Sequence, residues 1–236
     1  MLVAESTIIN DVRAAMDENT AITAFTDSDG TVIDTDTLEM EEIIKSKIAD
    51  GVNAVRKAAP LSMLDLTRKA SGEDWPVKWI DEDKCIGEVE IPEDYLKLVM
   101  FKMSDWAHAA TTPIAADTAL YHQQFSEWKG VRGNPSRPNI AIAADTATGK
   151  DVIQFFSCDS TEATAELTYI KRCNGANEPD GTEYDIEKPI YRAVVLKIAS
   201  LVAATYANGD LMNLLNQMAQ EALGWNRANA ADRTNM

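Results

Sequence analysis

Histidine, cysteine and long apolar runs are what this sequence has least of, and each shortage closes off a class of function. Only two histidines, His108 and His122, stand in 236 residues. Neither belongs to a His-Glu-x-x-His pattern, and a metal centre built on them would lack a third ligand at useful spacing. The three cysteines, Cys85, Cys158 and Cys173, are odd in number and include no Cys-x-x-Cys pair. They read as reduced, partly buried side chains made in a cytoplasm, not as a disulfide framework. No stretch approaches the roughly 18 apolar residues that cross a bilayer. The opening MLVAESTIINDVRAAMDENT has neither the basic n-region nor the apolar core of a signal peptide. Basic side chains are scarce as well: 22 Lys and Arg stand against 38 Asp and Glu, a net charge of −16. So acidic a surface repels phosphate and disfavours nucleic-acid binding through counterion release.

The remaining catalytic patterns fail on particular residues. The stretch ending Gly149-Lys150-Asp151 resembles a phosphate loop, but its first glycine is alanine and Asp151 stands where a magnesium-binding serine or threonine belongs. It reads as a hairpin turn. Asp27, Asp29, Asp34 and Asp36 surround Gly30, yet placing Gly30 at the sixth position of a calcium loop puts Phe25 at the first. These aspartates read as a solvated loop with helix caps. Asp94, His108, His122 and Cys158 are the candidate catalytic groups, and no Gly-x-Ser-x-Gly elbow accompanies them. The expectation is a protein that is not an enzyme, with no cofactor and no metal.

What the sequence does have is apolar periodicity, 45% hydrophobic residues and uneven charge. Residues 2–17 read as an amphipathic helix in which Val3, Ile8, Val12 and Met16 share a face and Arg13 stays in water. A second helix, capped by Asp36 or Thr37, carries Leu38, Ile43, Ile44, Ile48, Val52 and Val55 at three-to-four spacing until Pro60. Residues 1–50 hold 12 acidic and 3 basic side chains, so acidity is concentrated at this end. After a short segment at 61–69, strands are expected at 75–80, 85–91, 95–103 and 164–173, with a hairpin of 139–144 and 152–157. The 95–103 strand carries apolar groups on both faces, as a strand covered on both sides would. Tyr121, Phe125 and Trp128 have helical spacing within 119–130, and 174–182 is rich in glycine and asparagine and reads as loop. Pro189 opens a long helix, Asn208-Gly209 ends it, and Asp210 caps a last one bearing Leu211, Leu214, Leu215, Met218 and Leu223. The fold expected is α+β: a helical bundle from residues 1–70 and 183–225, a small inserted antiparallel β domain at 71–182, and a flexible or partner-ordered tail at 226–236. A doubly wound sheet is disfavoured because strands and helices do not alternate.

Residues 91–138 carry an ordered series of motifs. Ile91, Pro92, Glu93, Asp94, Tyr95 and Leu96 lead into a strand; Ser104, Asp105 and Trp106 follow; then come Tyr121, Gln124, Trp128 and Gly130, and finally Arg137 and Pro138. In order and spacing this series resembles the head-to-tail adaptors of short-tailed phages, often called tail tubular protein A, and the similar ring proteins of crAss-like phages. The resemblance implies a virion structural protein of the neck, assembled in the host cytoplasm. It implies a homo-oligomeric ring, commonly twelvefold, docked on the portal and offering a platform to the next tail or nozzle protein. Double-stranded DNA would pass through, and an acidic lumen would let it slide. It further implies that the C-terminal segment reaches the portal, which makes Leu211, Met212, Leu215, Met218, Leu223 and Trp225 candidate portal contacts. Lys129, Arg132 and Arg137 form a basic loop on an acidic chain and are candidate contacts to a neighbouring subunit. A more distal neck or tail-tube ring component, or a non-enzymatic ligand- or peptide-binding module, are the alternatives.

Overall fold

A computed structural model describes residues 1–17, 35–128, 131–145, 149–156, 158–174, 176–178 and 181–234. It divides into two units, one made of Met1–Asp65 with Arg172–Met236 and the other of Leu66–Lys171.

In the first unit the organising element is α4 (Tyr191–Thr205), whose sequence is apolar nearly all round and therefore needs cover on every side. Val194, Ile198, Ala199, Val202 and Ala203 are fully buried. Three helices pack against it: α1 (Glu5–Ala15), α2 (Thr35–Ala58) and α5 (Gly209–Thr234). α2 turns Ile44, Ile48, Val52 and Val55 inward, the expected stripe. It also places Gly51 against α4: a Cβ built there would lie 2.4 Å from Ile198 Cγ1, so glycine lets the two helices approach. The α4–α5 link uses Ala207 at φ 56° to stop the first helix. Asn208, not Asp210, caps the next, accepting from the Leu211 amide at 3.2 Å. Two buried polar pairs complete the unit. Arg56 donates to Glu187 at 3.1 Å and to the Asp185 carbonyl at 2.8 Å. Arg13, expected in water, is buried and donates to Glu41 at 3.3 Å.

The second unit is two antiparallel sheets. One has the order β2 (Thr67–Ala70), β8 (Ala165–Lys171), β5 (Tyr95–Met103); the other is β3 (Lys78–Asp81), β4 (Ile86–Glu90), β7 (Asp151–Phe155), β6 (Ile140–Ala144). They share one core in which Phe101 stacks on Phe155 at 6.0 Å and meets Trp106 edge-on at 5.7 Å. Gly87 makes room for this packing, since a Cβ there would sit 2.5 Å from Phe155 Cζ. The far face of the four-stranded sheet exposes Ile86, Ala141 and Phe156 to a second, smaller apolar cluster with Ile114 and Tyr121. That cover comes from the long β5–β6 connection, which holds the short helix α3 (Ala119–Gln123).

The expected fold class is overturned. The chain is mixed α/β, with five helices and three sheets among the described residues, and not a terminal helical bundle with a small β insertion. The terminal unit carries a sheet of its own, ordered β1 (Leu2–Ala4), β10 (Gly181–Asp185), β9 (Ala176–Glu178), in which Val3 pairs with Tyr184. Residues 2–4, read as the start of a helix, are a strand, and much of the loop expected at 174–182 is a hairpin arm. The pairing joins chain positions about 180 residues apart, and such long-range contacts leave no local periodicity to read. Two elements are shorter or simpler than expected. Residues 61–69 make one 3₁₀ turn, Leu61–Met63, before β2. The helix expected over 119–130 stops at Gln123, because the Gln124 side-chain amide donates to the Leu120 carbonyl at 2.9 Å while its backbone amide turns to Tyr121. β5 is a strand as expected, but at a sheet edge with two register shifts it is fully buried only at Phe101 and Met103.

Candidate functional site

The motif series lies wholly in the second unit, and several of its described residues have a definite architectural task. Pro92 accepts from the Tyr95 amide at 3.0 Å in the turn that opens β5. Asp94 accepts from the Tyr169 hydroxyl at 2.8 Å and lies 3.6 Å from Lys171, tying that turn to β8. Burial, and after it the Asp94 carboxylate, pushes the Tyr169 phenol well above its usual range. Ser104 and Asp105 hold the segment leading into β8: Ser104 exchanges hydrogen bonds with Thr164, and Asp105 accepts from the Asp159 amide at 2.6 Å. Trp106 is buried against Phe101.

Tyr121 and Gln124 fasten the loop that follows α3. The Tyr121 hydroxyl donates to Gln154 on β7 at 2.7 Å. Gln124 is 0% exposed; its carbonyl oxygen accepts from the Gly133 amide at 2.8 Å and the Asn139 side chain at 3.2 Å. A second turn, in which Asn134 and Arg137 exchange backbone hydrogen bonds, leads back to β6. This clamped loop also presents apolar groups to solvent: Trp128 is 78% exposed, Val131 48% and Phe125 38%.

The residues singled out from sequence are distributed as follows. Arg132 is half-buried and donates to the Lys84 carbonyl at 3.1 Å, while the Arg137 side chain is exposed. Lys129 and Gly130 lie outside the described residues, as do Asp27, Asp29, Gly30 and Asp34. On α5, Leu215 is buried, Leu211, Met212, Met218 and Leu223 are half-buried, and Leu214 is exposed. The Trp225 side chain falls outside the described residues. His108 and His122 are both exposed, and among the described residues no group of three metal-ligating side chains gathers. No described helix is long and apolar enough to cross a membrane.

Sequence reasoning missed a cavity of about 170 Å³ in the second unit, lined by Lys84, Cys85, Arg132, Asn134, Phe156 and Cys158 with Asp83 and Asp159 among its other walls. Asp94, His122 and Arg137 do not line it. The cavity lies where the β3–β4 turn, the 132–135 loop and the segment after β7 meet. Gly133, Asn134 and Pro135 signal a turn in the sequence, but nothing local says which strand end that turn will face. Lys84 is already matched by Asp81 at 3.3 Å and Glu127 at 2.7 Å. Burial, and after it the Asp105 charge, pushes the Cys158 thiol far above its ordinary value, which leaves it a poor nucleophile at neutral pH. No family model matches the chain, and no curated protein does either.

Proposed function

We propose that the chain is a virion head–tail adaptor: a subunit of a connector ring that docks on the portal, carries the next tail component and lets double-stranded DNA pass. The reading rests on the ordered motif series at 91–138. Its described residues support it by their work, since Asp94, Ser104, Asp105, Trp106, Tyr121 and Gln124 brace strand ends and a long connection and leave Phe125, Trp128, Val131 and Arg137 exposed. Such a part acts by assembly, and the net charge of −16 suits a channel that must not grip DNA. In this reading the partly covered face of α5 approaches the portal, and the basic loop with Arg132 and Arg137 meets the acidic surface of a neighbouring copy.

The test is native mass spectrometry and negative-stain microscopy of the purified protein, alone and mixed with the portal protein of the same genome. A closed ring with one copy per portal subunit is the expected result. A protein that ignores the portal overturns the adaptor role, and one that instead joins a tail component belongs further down the neck.

A further inference from the structure

Cys85 and Cys158 line the same cavity and pack against the same apolar cluster. The strand register explains why. Gly87 on β4 pairs with Phe155 on β7 in an antiparallel ladder. Cys85 lies two residues before Gly87, in the turn that opens β4, and Cys158 three residues after Phe155, past the end of β7, so both sit beyond the same end of the sheet. The two differ in exposure and in backbone state. Cys85 is half-buried, in a turn at φ 52°, with its thiol 3.6 Å from the Glu82 carbonyl. Cys158 is buried. Their proximity also registers electrostatically, because Cys85 contributes to the upward shift of the Cys158 thiol.

We infer that Cys85 and Cys158 form a thiol pair that closes to an intramolecular disulfide when the protein meets a small-molecule disulfide oxidant, locking the β3–β4 turn to the segment after β7. The Cys85 thiolate attacks the oxidant, one sulfur of which leaves as a thiolate and the other stays on Cys85. The Cys158 thiolate then attacks the Cys85 sulfur and expels the second thiol. Two protein thiols are oxidised and one small disulfide is reduced to two thiols. Because Cys158 ionises with difficulty, the second step is slow and accelerates as pH rises. The place where the oxidant is met rests on the adaptor reading: a subunit folds reduced in the cytoplasm and afterwards experiences oxidising surroundings in the released particle. The chemistry itself does not depend on that reading.

The test uses the purified full chain, incubated with oxidised glutathione across a pH series, quenched by alkylation and mapped by peptide mass spectrometry. The expected product is a Cys85–Cys158 linkage with Cys173 still alkylated, formed faster at higher pH, and an upward shift in the denaturation midpoint that Cys85→Ser abolishes. Glutathione that stays on Cys85 without closure overturns the inference. So does a linkage through Cys173, a linkage between chains, or a failure to oxidise while Cys85 is alkylated readily. None of these results depends on portal binding, so loss of the adaptor reading would leave the thiol pair standing, and the reverse.

Discussion

At the scale of single residues, Gln124 shows how a motif that looks like a surface contact becomes a structural clamp. Its side chain satisfies the Leu120 carbonyl, the Gly133 amide and the Asn139 amide from a fully buried position. Gln124→Ala leaves those groups in a site that water does not reach freely, a loss of about 1–3 kcal/mol. A lower urea midpoint with faster amide exchange at 131–139 is expected, and an unchanged midpoint would remove the clamp from the account. The sequence shows Gln124 only as one letter in a Tyr-x-x-Gln pattern on an expected helix. That pattern identifies the residue but not its task, because two of its three partners, Gly133 and Asn139, lie beyond the helix end that its own side chain creates. Arg13 makes the same point: its place on α1 is readable, but its burial opposite Glu41 is set by another helix.

At the scale of elements, legibility follows the range of the interaction. α2 and α4 were visible because their apolar stripes repeat within the element, and β4, β6, β7 and β8 were visible from short apolar runs between turn signals. The β1–β10–β9 sheet was not, since its strands are short, polar in part and joined across nearly the whole chain. Gly51 is an element-scale feature of the same kind: inside a helix a glycine costs propensity, while packing makes it the crossing point with α4. Gly51→Ala gains about 1 kcal/mol of helix propensity but forces Ile198 aside in a filled core, which costs about 1–3 kcal/mol. Net destabilisation is therefore expected in chemical denaturation. Adding Ile198→Ala should relieve part of the added cost, so that the double variant is more stable than the two single effects summed. Strict additivity would mean that the helices do not meet there.

At the scale of the whole chain, two units offer two independent reporters of the same chemistry. Tyr169 in Leu66–Lys171 donates to Asp94, and Tyr191 in the other unit donates to Asp11 at 2.6 Å. In both, burial and then the accepting carboxylate hold the phenol protonated well above its usual range. The unfolded chain has no such restraint and loses these protons near the ordinary tyrosine value of about 10. The folded state therefore binds more protons above that pH, so each tyrosine's contribution is fully present below about pH 10 and is lost as pH rises through the raised folded value. Four of the five tryptophans lie in Leu66–Lys171, whereas the long helices lie in the other unit. Tryptophan fluorescence thus follows mainly one unit, and helical circular dichroism mainly the other. Tyr169→Phe is expected to flatten the alkaline dependence of the fluorescence transition and leave the dichroism profile unchanged, and Tyr191→Phe the reverse. If either variant flattened both signals equally, the two units would unfold as one, and their separate stabilities would have to be replaced by a single cooperative transition.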